Sequence, residues 1–298
     1  MKPLGFAAVL ALSAAAPSPT IVLREQAWTP GADARASLEE PAECLASREP
    51  TVEIGRALFR SPALLGGPAA RAGLSCNACH SGGRRNARFL LPELTSRAGA
   101  ADVTSEWSSK VRGDGLANPI DIPDLYGVTR RTTFGQSRDP SLEHFTRGVI
   151  VEEFQGQEPS AEVMTSLLAY LRALDEGECA RGGAAISLSS AADDVRRALS
   201  AAESADHETA RLVLLAAQDA MGRIVERLPP RRFGRERARI EGLSRELGAM
   251  RNAGDIGATL ETALPGWRAR FDASVTRLAR RERFTYFNER TLARALAQ

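Results

Sequence analysis

The chain has 298 residues, enough for one large domain or two of ordinary size. Apolar residues make up 43% and charged residues 26% of it, which is typical of a folded globular protein and excludes wholesale disorder. The formal net charge is +2 and no basic run exceeds a few residues, so nothing favours a nucleic-acid partner. Four cysteines are too few for a disulfide scaffold of this length.

The N-terminus has the parts of a secretory signal peptide. Lys2 supplies a positive charge, an apolar run extends over residues 4–16, and the small residues Ser13-Ala14-Ala15 lie near its end. The run is too short for a bilayer core that needs roughly 20 residues. The alternative to a signal peptide is an N-terminal membrane anchor or a buried helix. We predict a signal peptide at residues 1–16, export to the periplasm and no stable membrane insertion. An oxidising compartment of this kind preserves disulfides.

The strongest motif runs from Cys76 to His80 and reads Cys-Asn-Ala-Cys-His. This is the attachment site of a c-type haem, in which each thiol bonds one vinyl group and the histidine ligates the iron. A thioredoxin-like dithiol would need a strand–helix setting, which residues 73–75 do not indicate. A zinc site would need two further ligands, and the other cysteines lie 32 residues before and 100 after the pair. We predict one covalent haem c on Cys76 and Cys79, with His80 as an iron ligand.

The second half of the chain has the pattern of a helical bundle. Apolar residues recur every three or four positions in three segments. These stripes begin at Leu214, Ile240 and Trp267. An earlier helix is expected after Ser190, Pro229-Pro230 should end the first stripe, and Pro265 should lie in the first turn of the third. His207 is expected to be a surface or capping residue.

The predicted fold is mainly α, with a cytochrome c-type haem domain over residues 34–182 and an antiparallel helical bundle over residues 186–298. Residues 17–182 carry 18 basic and 22 acidic side chains, whereas the bundle carries 20 and 15. The opposite signs favour docking of the two halves on each other.

Several segments resemble one known family. Residues 55–59, Leu64-Leu65 and residues 74–80 are similar to the opening of a haem domain in the di-haem cytochrome c peroxidase family. Residues 118–125, 134–143 and 167–174 resemble later parts of that domain, so the resemblance covers about residues 50–176. It implies a cytochrome c-type fold around the haem, and peroxidase activity as one possible function.

The chain departs from that family in three places. It has one Cys-x-x-Cys-His motif where the family has two haems. Residues 135–138 read Gly-Gln-Ser-Arg where the family often has His-Asp-Gly-Arg. Residues 149–151 are Val-Ile-Val, which cannot ligate iron, where the family supplies methionine or tyrosine to its second haem. The departures favour an electron-transfer cytochrome over a complete peroxidase.

The sixth iron ligand is open at this stage. Met164, the only methionine of the haem half after signal removal, is either a ligand or a core residue. His144 is a distal ligand, a distal acid or base, or a surface residue. Tyr126 and Tyr170 are further alternatives, and so is an empty site.

Two features around the haem follow from analogy with small cytochromes c and with folds of this kind. The carbonyl of Pro92 is expected to accept from the second ring nitrogen of His80, and three nearby arginines could reach the haem propionates. These are Arg84, Arg85 and Arg88. Cys44 precedes the first helix and Cys179 follows the closing helix, and in such folds those helices pack together. We therefore expect a Cys44–Cys179 disulfide, with two free thiols as the alternative.

Three functions remain after these observations. The first is an exported cytochrome that passes single electrons to a redox partner protein. The second is a peroxidase-type haem enzyme with an open distal site. The third is a sensor or structural protein in which haem binding acts on the helical half.

Overall fold

A computed structural model describes residues 32–175, 177 and 183–297. The predicted signal peptide and Cys179 lie outside these residues. The described chain is mainly helical, as predicted. Within the same residues, no helix is both long and apolar enough to cross a membrane.

The first half, residues 32–175, consists of short elements joined by long irregular segments. Its helices are α1 (Pro50–Phe59), α2 (Gly67–Arg71), α3 (Cys76–Cys79), α4 (Leu142–Gly148) and α5 (Ala161–Ala173). A π-helical turn at Val149–Glu153 continues α4. The strands β1 (Glu39–Pro41) and β4 (Gly183–Ala185) pair antiparallel, as do β2 (Ala100–Ala101) and β3 (Ile120–Asp121).

Helices α1 and α5 cross at close range. A Cβ atom on Gly55 would lie 1.9 Å from the carbonyl oxygen of Ser166, so the approach of the two backbones requires glycine. Helix α5 begins after Ser160, whose hydroxyl accepts from the Val163 N–H. Helix α4 begins after Ser141, whose hydroxyl accepts from the His144 N–H.

The helical half, residues 183–297, contains α6 (Leu188–Ser204), α7 (His207–Glu226), α8 (Pro230–Arg251), α9 (Ile256–Ala279) and α10 (Glu289–Leu296). Helices α6 to α9 pack in succession, and α9 also contacts α6. A side chain at each of four N-termini accepts the N–H three residues further on. These caps are Ser187, Asp206, Asp255 and Asn288.

Two predicted boundaries in this half are wrong. Helix α6 begins at Leu188 rather than after Ser190, because Ser187 and Ser190 form a reciprocal capping box. Pro265 lies inside α9 rather than in its first turn. The helix continues through this proline because Leu264 and Trp267, on either side of it, are fully buried.

A buried ionic cluster joins α1 to α6 across the two halves. We call it the junction cluster, and it comprises Glu43, Arg56, Arg60, Asp194 and Arg197. Arg56 donates to Glu43 at 2.5 Å and to Asp194 at 2.6 Å. Arg197 lies 3.4 Å from Glu43. The apolar core is also continuous from α1 and α5 into α6 to α9.

Candidate haem site

The motif residues form one short helix and its C-terminal cap. Cys76 and Cys79 are the first and last residues of α3, and His80 follows as its C-terminal cap. The His80 N–H donates to the carbonyl oxygen of Cys76 at 2.9 Å. The two sulfurs are therefore about one helical turn apart, with the imidazole directly after them.

The imidazole of His80 is oriented by a backbone carbonyl. Its Nδ1 lies 2.9 Å from the carbonyl oxygen of Pro123. Because a carbonyl can only accept, Nδ1 carries the proton and Nε2 keeps its lone pair. Burial lowers the pKa of His80 to about 4, so the ring is neutral at neutral pH. A neutral imidazole with an available Nε2 is the form that ligates iron.

The prediction that the Pro92 carbonyl accepts from the His80 ring is wrong. Pro92 lies in a turn closed by the Leu94 N–H, which donates to the Leu91 carbonyl at 2.8 Å. Pro123 takes the predicted role because β2 and β3 pair and bring the chain after Ile122 back to the motif.

Hydrogen bonds fix both the segment that carries Pro123 and the segment that carries the cysteine motif. Asp124 accepts from the Arg85 N–H at 2.6 Å, which fixes the segment that carries Pro123. Asn86 donates through its side chain to the Ala78 carbonyl and through its backbone to that of Cys79, each at 2.8 Å. Sequence reasoning missed these residues, and nothing in the sequence marks Asn86 or Asp124 as bonded to the segments they contact.

Two glycines form the turn after the ligand. Gly82 and Gly83 have φ angles of 56° and 84°, which favour glycine. A Cβ on Gly83 would lie 2.7 Å from Leu174, so the turn packs directly on the end of α5. Tyr126 binds the same turn, because its hydroxyl lies 3.0 Å from the Gly82 carbonyl and accepts from the Cys44 N–H at 2.8 Å.

The two thiols lie in apolar surroundings. Cys79 packs against the cluster formed by Phe89, Leu94, Ala101 and Ile122, and Cys76 packs against that of Leu65, Ala69 and Phe154. The side chains of Leu74, Val103 and Trp107 contact both clusters. Burial raises the pKa of each thiol to about 12, so both are protonated at neutral pH. An apolar wall around two cysteines suits a flat, largely apolar porphyrin.

The three arginines suggested for the propionates differ in their contacts. Arg84 stacks over the ring of Tyr126 at 4.4 Å, and Arg88 is exposed. Arg85 lies 3.3 Å from Asp121, but its buried Nε has no hydrogen-bond partner among the described residues. A carboxylate from outside the chain, such as a propionate, would satisfy this nitrogen. The donor set and the unpartnered Arg85 nitrogen both fit a c-type haem.

The candidate sixth ligands lie in different surroundings. Met164 is buried in the main core, against which Cys76 also packs, so its ligation stays a prediction beside the core alternative. His144 is exposed, and its Nδ1 hydrogen-bonds to Asp139. Tyr170 is fully buried and donates to Glu43 at 2.8 Å, which makes it part of the junction instead.

Cys44 is buried, and Cys76 and Cys79 carry free thiols. The Cys44 carbonyl accepts from the Asp175 N–H at 3.1 Å, so the chain before α1 lies beside the chain after α5. Because Cys179 lies outside the described residues, its pairing with Cys44 stays a prediction.

No protein family, curated protein or solved structure that was compared with this chain matches it.

Proposed function

We propose that this protein is an exported, periplasmic c-type cytochrome that carries one covalent haem and transfers single electrons to or from a redox partner protein. Cys76 and Cys79 would hold the haem, and His80 would ligate its iron. Residues 34–182 would form the haem domain, and residues 186–298 an antiparallel bundle docked on it. The observation that carries the proposal is the hydrogen bond from His80 Nδ1 to Pro123, which leaves Nε2 for a metal.

The chain's own residues would perform three tasks. Cys76 and Cys79 would each hold the haem through one thioether bond, made by adding the thiol S–H across a vinyl group with nothing released. Pro123 orients His80, while Leu74, Val103 and Trp107 exclude water from the thiols. The bound haem supplies a one-electron couple.

Attachment is tested directly on the full-length protein, produced in cells that export it and attach haem c. The denatured protein should keep its haem on a gel, and its mass should exceed that of the mature chain by one haem. Cys76→Ala and Cys79→Ala should each remove one thioether bond and reduce incorporation strongly. His207→Ala, a control on α7, should incorporate haem normally. Normal covalent incorporation in either cysteine variant would overturn the proposal.

A peroxidase-type enzyme is the second candidate, and the His144–Asp139 pair favours it. A histidine whose Nδ1 is bonded to a carboxylate has its Nε2 available for proton transfer. Electron transfer predicts a six-coordinate low-spin iron whose spectrum changes in Met164→Leu. A peroxidase predicts a high-spin iron that binds azide, with peroxide turnover that His144→Ala slows. The ferric and ferrous absorption spectra of the wild type and both variants separate the two.

A further inference from the structure

A groove between α8 and α9 on the helical half lies outside the proposed haem site. It encloses about 260 Å³ and is lined by residues from both helices. Gly242 of α8 lines it without a side chain, and a Cβ at this position would meet only Arg245, at 3.9 Å. The groove therefore has open space at its α8 wall.

The charges that line this groove do not balance. Arg270 pairs with Glu246, which cancels one positive charge. Arg239 and Arg277 also line the groove, and in the part of the chain that the structure describes neither has a carboxylate partner. Two like charges in one groove repel each other unless an anion lies between them.

A buried hydroxyl holds one of these arginines in place. Ser274 is 3% exposed, and its hydroxyl donates to the Arg270 carbonyl at 2.8 Å. The same oxygen accepts from Nη2 of Arg277 at 3.1 Å. This contact positions the guanidinium at the groove while its other N–H groups remain available, which lowers the entropy cost of binding a ligand.

The surface around the groove extends the positive charge. Arg231 and Arg235 precede Arg239 at intervals of four residues on α8, and Arg280 follows Arg277 at the end of α9. All three are exposed. Such a field concentrates anions near the groove and speeds their association.

We propose that the groove binds a phosphate group, between Arg239 and Arg277. A phosphate carries about −1.5 to −2 charges at pH 7, which matches the two unpaired arginines. Its tetrahedral oxygens can serve two guanidinium forks at once, and its charge can offset both, whereas a single carboxylate carries only one negative charge. Inorganic phosphate, a phosphate monoester and the headgroup of an anionic phospholipid share this chemistry.

The proposal is tested by calorimetric titration of the full-length protein with inorganic phosphate, against chloride at equal ionic strength. Arg239→Gln and Arg277→Gln should each weaken binding at least about tenfold, which corresponds to 1.4 kcal/mol. Arg290→Gln removes an exposed charge on α10, away from the groove lining, and should leave the affinity unchanged. Circular dichroism checks that every variant keeps its helices. The measurement uses the full-length protein as it is exported and does not read out haem, so its failure is distinguishable from failure of the proposed function.

A variant that changes the shape of the groove but not its charge tests whether the groove itself, rather than a diffuse positive field, binds phosphate. Gly242→Leu fills the space and retains every arginine, so it should abolish binding, whereas Gly242→Ala should retain it. Binding to phosphatidylglycerol vesicles but not to free phosphate, with the same dependence on the variants, would identify the headgroup as the source. Binding that Gly242→Leu leaves intact, or binding to neither probe, would overturn the proposal.

Discussion

The two halves of this protein are held together by different kinds of contact. Around the haem motif, the path of the chain depends on single polar contacts between distant residues, such as His80 with Pro123 and Tyr126 with Cys44. In the helical half, long helices carry local caps and continuous apolar stripes. Removing one group should therefore matter more in the first half, where few neighbours can replace a lost contact.

The largest change in the free energy of unfolding should come from the cysteines, all of which precede the helical half. If Cys44 pairs with Cys179, the bridge closes a loop of 134 residues. The chain-entropy relation then gives up to about 4–5 kcal/mol of stabilisation. Cys44→Ser should lower the free energy of unfolding in urea toward that of the reduced wild type.

Peptide mapping without reductant identifies the pairing. Thiol titration of the denatured, haem-loaded protein should find no free cysteine. Two free thiols would contradict the disulfide and weaken the boundary placed near Gly182.

The second-largest effect should come from the junction cluster, where the two halves meet. Burial alone would raise the pKa of Glu43, but the charges of Arg60, Arg56 and Arg197 hold it well below its usual range. Glu43→Gln leaves buried arginines without their counter-charge and should cost about 3–5 kcal/mol in urea unfolding.

Glu203→Gln breaks an exposed pair with Arg268 and serves as the control, with a cost below about 1 kcal/mol. Because the folded-state pKa of Glu43 is depressed, its contribution is present above the unfolded pKa, ordinarily about 4.5, and is lost as the pH falls further. An equal cost for both variants would show that the junction is not buried in solution.

Glycines provide a matched pair of variants, one from each half. Gly55→Ala places a methyl group against the Ser166 backbone at the α1–α5 crossing and should destabilise by about 1–3 kcal/mol or more. Gly234→Ala, in α8, meets nothing within 4 Å and should stabilise by about 0.5–1 kcal/mol. Thermal unfolding measures the sign of each change in stability. A Gly55→Ala variant as stable as the wild type would mean that α1 and α5 separate easily.

How much the sequence predicts also differs between the halves. The stripe from Leu214 to Leu228 predicts a core face, and its members are fully buried, because periodicity is a local property. The haem motif is equally local. The Pro123 contact could not be predicted, because a backbone carbonyl carries no side-chain signal and its partner is 43 residues away. Pro265 failed as a helix start because tertiary burial outweighed the local preference of proline.

The last prediction concerns Glu226, a partly buried carboxyl at the end of α7 in the helical half. Burial, together with the charge of Asp219, raises the pKa of Glu226 to about 7 from an ordinary value of about 4.5. The folded state therefore binds more protons than the unfolded chain between these pH values, and stability should fall as the pH rises from about 4.5 to 7. Because Glu226 is only partly buried, the loss should be about 1–2 kcal/mol rather than the full value for such a shift.

Glu226→Gln should flatten this part of the stability curve, measured by urea unfolding at pH 5, 6, 7 and 8. Glu208→Gln, an exposed carboxyl in the first turn of the same helix, should leave the wild-type slope in place. An unchanged slope in Glu226→Gln would assign the pH dependence to other groups.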